Sequence, residues 1–290
     1  MARWLTWLMD AQTPWTRPLG TWAFGWLHRF FSWAPTLRDF LIGRWLGHPI
    51  HAVLTDAPIG ILFLVPVFDL LPNPVSAEVA LIVGILAMIA AATAGFADYA
   101  DTDGSARDRA TLHSTLMLSA LVLYIVSLAL RLAGNGAGAG PFWTSILAFL
   151  VLASGAYVGG DVVYVLGNMV DRHAFRGTGT KWIHLEPAET DPDGSIPTGR
   201  PVKAKLGINN LVLVRDGEQI LALHDTCAHA GGPLSGGKLV DGGLIECPWH
   251  ASRYRMADGH VVRGPSIYDQ PAYEVRAREG GGWEARRSAS

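Results

Sequence analysis

The sequence predicts an α-helical transmembrane four-helix bundle followed by a small all-β domain. Half of the 290 residues are hydrophobic, only 17% are charged, and the mean hydropathy is +0.24. The charge is uneven, sparse over long stretches before residue 170 and ordinary in the last hundred residues. The two cysteines, Cys227 and Cys247, both fall in that later part. This asymmetry points to a membrane part joined to a soluble part, and the length suits about two domains. A net charge of −2 gives no sign of a nucleic-acid partner. The apolar content excludes a disordered chain, and two cysteines exclude a disulfide-dense framework.

Residues 1–45 hold seven tryptophans (Trp4, Trp7, Trp15, Trp22, Trp26, Trp33, Trp45) among Arg3, Arg17, Arg29, Arg38 and Arg44. Trp and Arg mixed with prolines suit a segment lying in the lipid headgroup region. No apolar core with a small-residue cleavage site marks a secretory signal, and no twin-arginine pair precedes an apolar stretch.

Residues 46–170 are expected to form the bundle. Four apolar segments lie near Ile50–Leu71, Ala77–Asp98, Ala110–Leu132 and Pro141–Leu166. Each has about 20 residues, enough to cross roughly 30 Å of hydrocarbon. Pro58 and Pro66 are expected to bend the first. Ala87, Ala91 and Gly95, then Gly155 and Gly159, set small residues four apart, which lets helices approach closely. With four spans, the N-terminus, the loop near Asp101–Arg109 and everything after the fourth span share one side. That side carries the N-terminal arginines with Arg107, Arg109, Arg172, Arg176 and Lys181, and the opposite loops 72–76 and 133–140 carry none. Both termini are therefore expected in the cytoplasm.

Ionisable residues in the spans gather toward that same face. His48, His51 and Asp56 open the first helix, Asp98 ends the second, His113 starts the third and Asp161 lies late in the fourth. Such groups are costly in a membrane and default to function. His48 before Pro49 reads better as a helix-end residue, as does Asp101, while His51, Asp56 and His113 sit deeper and suit a polar or cofactor site.

The stretches Gly47-His48-Pro49-Ile50-His51, Asp56-Ala57-Pro58-Ile59-Gly60 and Phe68-Asp69-Leu70-Leu71 resemble a bacterial four-helix membrane family, domain of unknown function 2231. Gly95-Phe96-Ala97-Asp98-Tyr99, His113 and Gly159-Gly160-Asp161-Val162-Val163-Tyr164 continue the resemblance over about residues 44–175. That family commonly has His where this chain has Asp161. The resemblance implies a bacterial cell membrane and no particular activity.

Residues 171–200 read as a linker and the start of the soluble domain. Gly177-Thr178-Gly179-Thr180 lacks the strand and helix context of a phosphate loop. From Pro201 to about 286, short strands are expected at Val202–Leu206, Leu211–Val214, Gln219–Leu223, Gly243–Glu246, Arg253–Met256, His260–Val262 and Ala272–Arg276. Asp216-Gly217, Asp241-Gly242 and Asp258-Gly259 are hairpin signals between them.

On this domain Cys227-Ala228-His229 is followed, after 17 residues, by Cys247-Pro248-Trp249-His250. One thiolate and one imidazole per loop suit a metal held between two hairpin tips. The alternating order differs from a zinc finger, although zinc accepts the same four donors. A Cys227–Cys247 disulfide would leave both histidines unexplained. His224 and His260, without partners at ligand spacing, read as surface or strand residues.

The motif, with Leu223-His224-Asp225-Thr226 before it, Ala230-Gly231-Gly232-Pro233-Leu234 after the first loop and Asp258-Gly259-His260 beyond the second, resembles the Rieske [2Fe–2S] ferredoxin-like family over about residues 181–286. The resemblance implies a [2Fe–2S] cluster with Cys227 and Cys247 on one iron and His229 and His250 on the other. It also marks Ser252 and Tyr254 as cluster-tuning hydroxyls. In the respiratory branch an extra disulfide braces the loops, where this chain has Gly232 and Trp249. A potential between the lowest ferredoxin-type and the respiratory centres is expected.

Such a centre has no open position for substrate, so no catalytic residue is assigned. The oxygenase domain with a 2-His-1-carboxylate iron is expected to be absent. The sequence therefore points to a membrane-anchored electron carrier or oxidoreductase component on the cytoplasmic face. Its partners would be the lipid bilayer and a redox protein such as a reductase or oxygenase. A second reading gives the bundle a haem or quinone near His51 and His113. A third makes the chain a redox or iron sensor.

Overall fold

A computed structural model describes residues 3–71, 73–135, 138–174, 179 and 181–288. Arg176 and all of the expected linker Gly177–Thr180 except Gly179 lie outside them. The chain divides into two units, Met1–Ile42 with Pro49–Asn168, and Gly43–His48 with Met169–Ser290.

The first unit is helical. Its three N-terminal helices are α1 (Arg3–Asp10), α2 (Thr13–Trp33) and α3 (Pro35–Leu41). They leave Trp4, Trp7, Trp22, Trp26 and Trp33 well exposed. Not all their arginines face outward. Arg38 is buried and its Nε donates to Asp101 at 2.9 Å, while Arg17 reaches Asp108 at 2.9 Å. Asp101 is thus half of a buried ion pair rather than a helix cap.

The helices α4 (Ile50–Leu70), α5 (Pro74–Tyr99), α6 (Gly104–Leu130) and α7 (Ala139–Tyr164) are each long and apolar enough to cross a membrane. Helix α5 starts three residues earlier than hydropathy suggests. Asn73 caps it by accepting from the Ser76 amide at 3.2 Å, and Pro74 takes the first turn, where its missing N–H costs nothing. Helix α4 follows Pro49, so His48 lies outside it, exposed. The core is Leu62, Val65, Leu81, Ile85, Met88, Tyr124, Ala148 and Leu152. Leu62 fills the space a side chain on Gly84 would need.

Hydropathy missed the far end of the bundle. Arg131, with a fully buried side chain, makes a two-pronged pair with Asp69 at 2.8 and 2.7 Å. Beside it the Ser127 hydroxyl lies 2.8 Å from that of Ser145 and donates to the Pro141 carbonyl at 2.9 Å. Ionisable residues therefore mark both ends of the bundle, not one.

Among the described residues the second unit carries ten strands, paired antiparallel. A closed barrel runs in the order β1 (Ile183–Pro187), β10 (Trp283–Arg287), β9 (Ala272–Ala277), β4 (Gln219–His224), β3 (Asn209–Asp216) and β2 (Val202–Leu206). A second sheet stacks β5 (Lys238–Val240), β6 (Leu244–Glu246), β7 (Arg253–Arg255) and β8 (Val261–Arg263). The three Asp-Gly pairs fall at the β3–β4, β5–β6 and β7–β8 turns, with Gly217, Gly242 and Gly259 at positive φ as such turns demand. Strands β1, β5 and β10 are not among those expected from sequence; β1 and β10 pair with each other to close the barrel.

Candidate metal centre

Two turns of the same build carry the cysteines. In the first, the Cys227 amide donates to the Gly232 carbonyl at 2.9 Å and the Gly231 amide returns to the Cys227 carbonyl at 2.9 Å. In the second, the Cys247 amide donates to Ser252 at 2.8 Å and the Ala251 amide to Cys247 at 3.1 Å. The residue four beyond each cysteine is left-handed, Gly231 at φ 86° and Ala251 at φ 60°. In each turn the next two amides but one aim at the sulfur, His229 and Ala230 toward Cys227, Trp249 and His250 toward Cys247. Oriented N–H groups of this kind favour negative sulfur.

The second turn joins β6 to β7, a hairpin as expected. The first is not a hairpin: it crosses from β4 of the barrel to β5 of the other sheet. The centre thus lies where the two sheets exchange the chain.

Both cysteines are free and buried, packed with Leu234, Ile245, Tyr254, Met256 and Val261. Each thiol acts on the other, so that Cys227 is pulled below the usual thiol range and Cys247 is pushed above it. The Tyr254 hydroxyl stands 3.1 Å from Cys227 Sγ, and burial pushes it well above the usual phenol range, so it keeps its proton. Ser252 is fully buried, and its Oγ accepts from the Ser266 amide at 3.0 Å. The His229 and His250 ring centres lie 5.0 Å apart at 88°. Two imidazoles on one tetrahedral metal, each bonded at about 2.0 Å, hold their ring centres about 5 Å apart. Two soft sulfurs and two imidazoles so gathered fit a [2Fe–2S] cluster.

Gly232 and Trp249 touch across the turns. A Cβ on Gly232 would stand 2.9 Å from the indole and 3.1 Å from Cys247 Sγ.

Sequence reasoning missed the residues that hold the first turn. Buried Gln270 accepts from the Ala228 amide at 2.9 Å and donates to the His224 and Thr226 carbonyls, both at 2.6 Å. The His173 ring nitrogen Nε2 lies 2.8 Å from the Thr226 carbonyl, and its ring centre is 4.6 Å from that of His224. Arg172 donates its amide to Ala228, so part of the segment read as linker packs on the centre. His224 ends β4 as a strand residue, but buried, accepting from the Thr226 amide at 3.1 Å. His260 is exposed, 3.1 Å from Asp269.

In the bundle the expected polar group only partly assembles. His51 and His113 come together, ring centres 6.1 Å apart. Asp56 does not join them. Five residues beyond His51, it lies about 140° around α4 and is exposed. Asp161 is buried against Arg109 at 3.1 Å. The Asp98 Oδ1 is buried with no hydrogen-bond partner among the described residues.

Residues 187–274 match the family model described as Rieske [2Fe-2S] domain. The chain is 36% identical over 76 residues to ferredoxin CarAc of Metapseudomonas resinovorans, 26% of this chain and 70% of that one. It is 29% identical over 96 residues to the anthranilate 1,2-dioxygenase ferredoxin subunit of Burkholderia cepacia, 32% of this chain and 88% of that one. Among solved structures, the ferredoxin of carbazole 1,9a-dioxygenase from Nocardioides aromaticivorans IC177 matches at 24% identity with a TM-score of 0.30, over 36% of this chain and 99% of that one. The chain belongs to the Rieske [2Fe-2S] family, and the cofactor of its β domain is a [2Fe–2S] cluster.

Proposed function

We propose that the chain is a membrane-anchored electron-transfer protein in which Cys227 and Cys247 hold one iron of the cluster and His229 and His250 the other. The observation that carries this reading is the pair of matching turns, which gathers two buried thiols and two facing imidazoles. Bound there, the cluster supplies reversible one-electron transfer. The residues around it set the terms. Leu234, Ile245, Met256 and Val261 exclude water behind the cysteines. The Tyr254 proton faces Cys227 Sγ and favours added negative charge on sulfur. Trp249 is exposed and His250 half-buried, so electrons enter and leave past these side chains.

The four apolar helices support the anchor. The excess of arginine on the side shared by the chain ends supports a cytoplasmic cluster in a bacterial cell membrane. Domain limits of 1–45, 46–170, 171–200 and 201–286 remain our division of the chain by role. The relatives are named as ferredoxins and as a subunit of a dioxygenase, which supports an oxygenase or its reductase as the partner class.

Electron paramagnetic resonance of the reduced, detergent-purified chain tests the assignment. A rhombic Rieske-type signal is expected, lost in Cys227→Ser and in Cys247→Ser. Replacing either histidine by cysteine should shift the signal toward an all-thiolate cluster. A Rieske signal surviving in any cysteine variant would overturn the ligand set.

A further inference from the structure

The two histidines of the bundle are held in the same way by two similar hairpins. His51 on α4 places Nδ1 2.8 Å from the Ala91 carbonyl of α5, and its ring rests on Gly95, four residues on. His113 on α6 places Nδ1 2.8 Å from the Gly155 carbonyl of α7, and its ring rests on Gly159, again four residues on. A Cβ on either glycine would stand 2.9 Å from the ring it carries. Small residues that would merely let two helices touch instead make seats for two imidazoles.

That arrangement settles the tautomer. A carbonyl accepts only, so Nδ1 carries the proton on both rings and Nε2 keeps its lone pair. Neither Nε2 makes a hydrogen bond among the described residues. A quinone carbonyl seeks a donor, and a neutral ring pinned at Nδ1 has none left to give. A Lewis-acidic centre is the matching ligand, and pinning of the far nitrogen is how metal-ligating histidines are oriented.

Two features narrow the centre further. No third His, Cys, Asp or Glu joins the pair as a metal cluster among the described residues. A bare ion taking four or more protein donors is therefore poorly served, whereas a metalloporphyrin brings four donors of its own. The spacing agrees. Two imidazoles bound on opposite faces of one metal at about 2 Å per bond hold their ring centres about 6 Å apart. The observed separation is 6.1 Å, against 5.0 Å for the pair in the β domain.

We propose that His51 and His113 are the two axial ligands of a haem bound between the α4–α5 and α6–α7 hairpins. The site stands independently of the role assigned to the cluster, and Asp56 has no part in it.

The full chain, expressed with added haem precursor and purified in detergent, tests this. A Soret band with about one haem per chain by the pyridine haemochrome, and a low-spin ferric resonance, is the expected result. His51→Ala and His113→Ala should each lose the low-spin signal while the cluster resonance, which reports folding, persists. Added imidazole should restore the low-spin spectrum. His113→Met, which retains an axial donor, should keep haem and raise its midpoint potential. Protein with a full cluster but no haem absorbance overturns the proposal, as does co-purified quinone in place of haem. A low-spin haem kept in both alanine variants overturns it equally.

Discussion

Gly231 and Ala251 occupy the same place in two turns of one design, each four residues past its cysteine and each left-handed. An alanine in that conformation carries strain of roughly 1–2 kcal/mol that a glycine does not. Ala251→Gly should therefore stabilise the β domain by about 1 kcal/mol, and Gly231→Ala should destabilise it by a similar amount. Thermal unfolding of the cluster-loaded chain, followed by loss of its visible absorbance, would show the two shifts in opposite directions. Equal shifts would separate the turns.

The hydroxyl on Cys227 Sγ should be felt in the potential. Tyr254→Phe removes one hydrogen bond that strengthens as the cluster gains charge. A difference of about 1 kcal/mol between redox states corresponds to roughly 40 mV for one electron, downward. The Ser252 hydroxyl accepts from the Ser266 amide instead, so Ser252→Ala should also cost stability by leaving that buried N–H unpaired. Redox titration beside thermal melts distinguishes the two residues; an unchanged midpoint in Tyr254→Phe refutes the role of the tyrosine.

Gln270 is the main tie of the first turn. Gln270→Ala strands the Ala228 amide and weakens two carbonyls, a loss of about 2–3 kcal/mol. Faster release of iron to a chelator is expected, measured by bleaching of the visible spectrum, with the bundle's helicity unchanged.

Asp101 makes the stability of the helical unit depend on pH. Burial pushes its carboxyl up to about 6, against the pull of the Arg38 guanidinium beside it. The folded state therefore binds the proton more tightly than the unfolded chain does. This contribution is complete below the usual carboxylate range near 4 and is lost as pH rises through about 6, amounting to no more than about 3 kcal/mol. Melting of the detergent-solubilised chain from pH 4 to 7 should fall in this window, and the slope should flatten in Asp101→Asn.

Much of the centre was legible because its signals are local. Cys227-Ala228-His229 and Cys247-Pro248-Trp249-His250 each lie within one turn, and Asp216-Gly217, Asp241-Gly242 and Asp258-Gly259 each sit in their own hairpin. What escaped acts at a distance. Gln270 reaches Ala228 across 42 positions, and its partners are backbone groups that every residue possesses. Asp69 and Arg131 pair across two helices, so neither announces the other. Asp56 was grouped with His51 by proximity in sequence, although helical geometry turns it to the opposite side. His173 lay in a stretch with no periodicity at all, and only the fold brings it to the Thr226 carbonyl.

The contact of Trp249 with Gly232 has a consequence for where such a protein can work. The clamp between its two loops is an indole lying on a bare backbone, and both cysteines of the chain are committed to the site itself. There is no sulfur–sulfur bond for a cellular thiol to open. The spacing of the loops is thereby indifferent to the thiol poise of the compartment, and the fold can be made and kept in strongly reducing surroundings without an oxidising step during assembly.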